Sequence, residues 1–166
     1  MVFSHAEVEV YLEKVSRKIM NSARKDWLDH SIYGRVTSAL VAFRRQENVF
    51  VPEDPKICNK NNDITKIIEY SFKSQEDIIS KNNGIKRSNL AQMIFPLGIF
   101  SSDIDESLLI LLDNTGSKRG DIVHKASSVS LGNIRDPFSD ELSDITNLIN
   151  EISVFDKKMI DLFGIS

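Results

Sequence analysis

His5-Ala6-Glu7-Val8-Glu9-Val10-Tyr11-Leu12-Glu13-Lys14-Val15-Ser16-Arg17-Lys18-Ile19 carries the pattern that decides the fold. Val8, Leu12, Val15 and Ile19 recur at steps of four, three and four, so they share one side of a 3.6-residue helix. Glu13, Lys14, Arg17 and Lys18 take other faces. This predicts a first helix over residues 7 to about 23. His5, three before Val8 and seven before Leu12, leans toward the packed side, with Glu9 one turn further on. A half-buried, hydrogen-bonded histidine is the plainer reading of His5.

The same period returns along the chain. After a polar break over 26–30, Ile32, Val36, Leu40 and Phe43 mark a second helix ending near Arg44-Arg45-Gln46. Pro52, Pro55, Asn59, Asn61 and Asn62 predict a loop over 49–62, with Val49-Phe50-Val51 as at most a short extended piece. Asp63 then caps a third helix carrying Ile64, Ile67, Ile68, Phe72 and Ile79, stopped by Asn82-Asn83-Gly84. Ser88 caps a shorter one with Leu90, Met93 and Ile94, which Pro96 and Gly98 end. Ser102 or Asp103 opens a helix with Leu108, Leu109, Leu111 and Leu112, which Asn114-Thr115-Gly116 interrupts. The segment from 119 to 124 follows as a new or continuing helix packed through Ile122, Val123 and Ala126, and 127–135 reads as a loop. Asp136-Pro137 starts a long helix along Leu142, Ile145, Ile149, Ile152, Phe155, Met159 and Leu162, about 40 Å at 1.5 Å per residue. Without period-two alternation or a hairpin signal, the expected fold is all-α: a compact up-and-down helical bundle of at least four main helices plus short ones, in a single domain over 1–166.

Composition narrows the class. Hydrophobic residues make up 41% of the 166 and charged ones 27%, the balance of a soluble protein with one core. The single Cys58 can form neither an internal disulfide nor a cysteine cluster for zinc, which suits a reducing cytoplasm. No apolar run reaches the length of a membrane span, and the N-terminus lacks a basic region followed by an apolar signal core. A net charge of −3 argues against a nucleic-acid binder held by bulk electrostatics. Local basic pairs (Arg17-Lys18, Arg24-Lys25, Arg44-Arg45, Lys86-Arg87, Lys118-Arg119) nevertheless suffice to position a few phosphates, although most such pairs are solvated helix faces.

One segment carries chemistry: Lys118-Arg119-Gly120-Asp121-Ile122-Val123-His124-Lys125. On one helix, five residues advance about 500°, so Arg119 and His124 stand roughly 140° apart, while Asp121 and Gly120 lie on the histidine's side. The two groups do not converge within one helix. Two copies facing each other across a symmetric interface supply what one lacks, and Ile122 and Val123 offer an apolar side for docking. Arg-x4-His taken alone is a weak pattern.

With both stretches in place, the chain resembles the HEPN superfamily, specifically the bacterial group known as RiboL-PSP-HEPN. The residues that carry this are those from His5 to Glu13, the segment from Arg119 to His124, and between them Asn89 through Leu97-Gly98-Ile99, similar to that group's short helix and leucine-glycine turn. The resemblance spans nearly the whole chain. It implies a helical bundle, a homodimer, and a metal-independent endoribonuclease, acting as a toxin or in antiviral defence, with an Arg-x4-6-His motif from each protomer meeting at the interface. Arg119 and His124 match the two functional residues. Gly120 departs from the family pattern, which often has Asn, Asp or His directly after the arginine; here the acid comes one place later, at Asp121.

The residue types fit that chemistry. RNA carries its own nucleophile, the 2′-hydroxyl, so a protein need only move protons and stabilise charge, and no metal or other cofactor is expected. His124 is the expected general base or acid, since an imidazole ordinarily titrates near about 6.5. Arg119 would hold the scissile phosphate, Asp121 would orient the imidazole, and Lys118 or Lys125 would contact flanking phosphates. The resemblance also covers Glu9 and His5, which would form a second polar shell on the first helix, with helix packing or capping of the bundle end at least as good a reading. The expected partners are an RNA substrate, a second copy of the chain, and an antitoxin or regulatory protein encoded elsewhere; no membrane is expected. The alternative function is a non-catalytic module of the same fold that binds RNA, a nucleotide or a protein partner, favoured by Gly120 and the acidic net charge.

Overall fold

A computed structural model of the chain describes residues 2–44, 60–125 and 142–164; the side chains at 2–4, 44, 60–63 and 119–125 lie outside that description. Among the described residues the protein is all-α, with six helices and no strand: α1 (Val2–His30), α2 (Arg35–Arg44), α3 (Lys60–Ser80), α4 (Arg87–Ile94), α5 (Glu106–Lys125) and α6 (Leu142–Phe163). Two 3-10 turns, Phe95–Leu97 and Ser101–Asp103, lie between α4 and α5. None of the described helices is long and apolar enough to cross a membrane.

The helices gather into two compact units. One comprises Met1–Leu12, Asn83–Ala91 and Phe100–Ser166; the other comprises Glu13–Asn82 and Gln92–Ile99. In the second unit, α2 packs against α3 and the Phe95–Leu97 turn, and Leu40, Ile68, Phe72, Ile79, Met93, Ile94 and Leu97 are buried. Buried Gln75 on α3 donates through Nε2 to the carbonyls of Gln92 (3.2 Å) and Met93 (2.9 Å), satisfying acceptors that the end of α4 leaves without helical partners. Gly98 follows in the left-handed region at φ 82, and its carbonyl accepts from Arg35 Nε at 2.8 Å. That backbone geometry explains the leucine-glycine turn.

In the first unit α5 packs on α6, and Leu108, Leu109 and Leu112 are buried along α5, with Leu148, Phe155 and Met159 along α6. Leu108, Leu109, Leu112, Phe155 and Met159 are positions the helical periodicity had placed in the core; Leu148 was not among them, and Leu142, Ile149 and Leu162, expected on the packed side of α6, are exposed. Polar pairs brace the same region: Ser107 Oγ on α5 donates to Glu151 Oε2 on α6 at 2.8 Å, and Lys158 Nζ on α6 donates to Oδ1 of Asp105, the residue just before α5, at 2.8 Å.

The boundaries correct the sequence reading in six places, two of them simple shifts: α2 begins at Arg35 and leaves Ile32 outside it, and Ser102 and Asp103 lie in a 3-10 turn ahead of α5, which begins at Glu106. α1 runs on through the polar stretch 26–30 and stops only at Ser31, whose φ of 54 is left-handed. The Ser31 N–H donates to the Trp27 carbonyl (2.9 Å) and the Ile32 N–H to that of Asp26 (3.2 Å), a helix stop made by backbone geometry instead of side-chain polarity. α3 begins at Lys60, ahead of the expected cap at Asp63. α4 starts at Arg87, whose N–H donates to Asp113 Oδ1 at 2.8 Å, so a carboxylate on α5 takes the place expected for Ser88. Finally, Asn114-Thr115-Gly116 does not interrupt α5. One glycine costs a helix only about 1 kcal/mol, which the buried leucine row outweighs. The expected loop over 127–135, the Asp136-Pro137 start, Val49-Phe50-Val51 and Cys58 lie outside the described residues.

Candidate functional site

The candidate site is built on the second half of α5, in the first unit. Because α5 is continuous, Arg119, Asp121, His124 and Lys125 all belong to one helix and its register places them. Position 119 continues the row Leu108, Leu112, Thr115, at steps of four, three and four, and both leucines are fully buried. Positions 121 and 124 continue a different row: Ile110, Asn114, Ser117, which the structure leaves exposed. The two key positions thus fall on opposite sides of one helix, as five residues at about 100° each require. Of their side chains, and those of Asp121 and Lys125, nothing falls within the described residues.

Lys118 is described. Its Nζ donates to Asp144 Oδ2 in the first turn of α6, and both side chains are about one-third exposed. This expected phosphate contact is therefore already paired within the chain. Asp144 itself escaped the sequence reading, because a partner 26 residues away in another helix leaves no periodic signal.

His5 and Glu9 come together on the first turns of α1, with His5 Nδ1 3.6 Å from Glu9 Oε2. His5 is almost fully buried, with the side chain 3% exposed against 16% for Glu9, in line with the packed lean its spacing suggested. Two turns from His5, Tyr11 Oη donates to Asp156 Oδ1 on α6 at 2.7 Å, and burial, then this carboxylate, raise the phenol's pKa. The Tyr11–Asp156 pair also went unnoticed in the sequence.

The basic pair Lys86-Arg87 sits against another part of α5. Arg87 is held by Glu106 (Nη2 to Oε1, 2.5 Å) and Asp113 (Nε to Oδ2, 3.4 Å), and Ile85 is fully buried. Between them, exposed Lys86 lies across Gly116: a Cβ there would meet Lys86 Cγ at 2.7 Å and Cε at 3.4 Å. Gly116 thus read as a helix breaker but serves as the seat for a lysine stem.

No curated protein and no solved structure matches this chain. The family model described as RiboL-PSP-HEPN matches residues 1–164, nearly the full length and including α1, the leucine-glycine turn and the Arg119 to His124 segment. The chain belongs to the RiboL-PSP-HEPN family.

Proposed function

We propose that this protein is a metal-independent endoribonuclease of HEPN type, a toxin or defence effector that cuts RNA at a composite site between two protomers. The observation that carries the reading is the placement of Arg119 and His124 on opposite sides of one continuous helix, in a chain of this family. A helix that separates its two functional positions needs a second copy to reunite them.

An exposed apolar row supports that second copy. Leu142, Ile149 and Ile160 on α6 are separated by seven and eleven residues, close to whole turns, and each is at least 40% exposed. Ile110, also exposed, begins the α5 row that ends at His124. Such residues gain from burial against their own symmetry mates.

In the proposed reaction the 2′-hydroxyl oxygen forms a bond to the adjacent phosphorus while the bond from phosphorus to the 5′-oxygen breaks. His124 takes the proton from the nucleophile or gives one to the leaving oxygen, and Arg119 stabilises charge on the non-bridging oxygens. The products carry a 2′,3′-cyclic phosphate and a 5′-hydroxyl.

The test is incubation of wild type and His124→Ala with total and structured RNAs in excess EDTA, reading cleavage and end groups. Cleavage by wild type alone, leaving cyclic-phosphate ends, is the expected outcome. A second reading, a binding module without chemistry, is favoured by Gly120 after the arginine and the net charge of −3. Equal RNA binding by both proteins, with no cutting by either, would establish it.

A further inference from the structure

We infer that Lys86 is a substrate-positioning residue of this site, placed by its seat on Gly116 to hold an RNA phosphate that flanks the one Arg119 serves. The inference rests on the ribonuclease reading above. Two observations carry it: where the lysine is anchored and what it is not paired with.

The anchorage is tight on both sides. Ile85 is fully buried, and Arg87 is bound to α5 through both its N–H and its guanidinium, by Asp113 and Glu106. The backbone of Lys86 therefore has little freedom. Its stem crosses α5 at Gly116 within a distance that any larger residue there would forbid, with the Cβ position 2.7 Å from Cγ. Asp113 and Gly116 are one turn apart on α5, and Arg119 is the next turn, about 4.5 Å further along the axis. The segment thus steps along α5 toward the catalytic arginine.

The charge balance points the same way. Among the described residues, Arg87 is paired with two carboxylates and Lys118 with Asp144, whereas Lys86 is exposed and forms no ion pair. Among the described residues, Lys86 is thus an exposed cation on the Gly116 side of α5.

The test uses the full chain and a labelled RNA oligonucleotide in EDTA. Affinity is measured in the His124→Ala background, and steady-state cleavage in the otherwise native one. Lys86→Met, which keeps the stem and removes the charge, should weaken binding about three- to tenfold and reduce the slope of log K against log salt by roughly 0.7. It should raise KM more than it lowers kcat. Lys86→Arg should restore most of the affinity. Gly116→Ala, which displaces the stem but keeps the charge, should reproduce much of the loss and add little to it in the double variant. Thermal midpoints of Lys86→Met and Lys86→Arg within about 2 °C of wild type are expected for surface changes. If the native chain binds and cuts RNA while Lys86→Met matches it in affinity and salt slope, the inference alone is wrong. If the native chain neither binds nor cuts RNA, the ribonuclease reading fails and takes the inference with it.

Discussion

Lys118 on α5 donates to Asp144 in the first turn of α6, and Lys118 directly precedes Arg119 in sequence. The pair neutralises one cation next to the site and ties the two helices together. Asp144→Asn should therefore tighten RNA binding, by releasing a positive charge and removing a negative one, and steepen the salt dependence. Its cost in stability should stay below about 1 kcal/mol, since both groups are part-exposed. Lys118→Met should reduce affinity less than Lys86→Met does. Fluorescence anisotropy across a salt series measures all three.

Gly98→Ala should destabilise the protein by about 1–2 kcal/mol. At φ 82 an L side chain is strained, and a Cβ would sit 3.2 Å from that of Ala39 on α2. Urea unfolding gives the loss as a lower midpoint. An unchanged midpoint would mean that the turn after α4 relaxes freely.

Gln75→Met, close in volume, should cost about 2 kcal/mol, because it strands the buried Met93 carbonyl and removes a donor from the part-buried Gln92 carbonyl. The same urea experiment applies. Gln75→Glu should do no better, since a carboxylate cannot donate to those carbonyls at neutral pH.

Tyr11→Phe should cost about 1 kcal/mol at neutral pH through the lost bond to Asp156. The phenol's folded pKa is raised, by burial first and then by the Asp156 carboxylate, above its ordinary 10.0. Its contribution is therefore fully present below about pH 10 and is lost as pH rises beyond that. Denaturant midpoints taken from pH 8 to 11 should show the wild-type advantage over Tyr11→Phe shrinking at the alkaline end. An advantage independent of pH would contradict the shift.

The all-α character and part of the core were legible in the sequence, since Leu12, Ile19, Leu40, Ile68, Leu108, Leu112 and Phe155 repeat at helical spacing and are buried in the fold. Ile32, Phe43, Ile64, Leu142 and Ile149 were read in the same rows and are exposed, because periodicity marks an apolar face and only the neighbouring elements decide how much of it is covered. Helix ends were less legible. The stop at Ser31 and the start at Arg87 depend on a left-handed backbone and on a carboxylate from α5, neither visible in nearby residues. Gly116 illustrates the difficulty: glycine suggests a break, but a helix anchored by buried leucines passes through it.

For the candidate site, the sequence by itself determined which residue types stand at Arg119 and His124 and how far apart on a helix they are, because residue type and helical pitch are properties of the chain alone. Tertiary structure decided that the helix is unbroken, that Lys118 is engaged by Asp144, that His5 is buried beside Glu9, and that Lys86 lies on Gly116. These relations join residues of different helices, or depend on which face of a helix is covered. Ion pairs and stem packing form only once hydrophobic burial has brought distant segments together, and that placement has no periodic trace in the order of the amino acids.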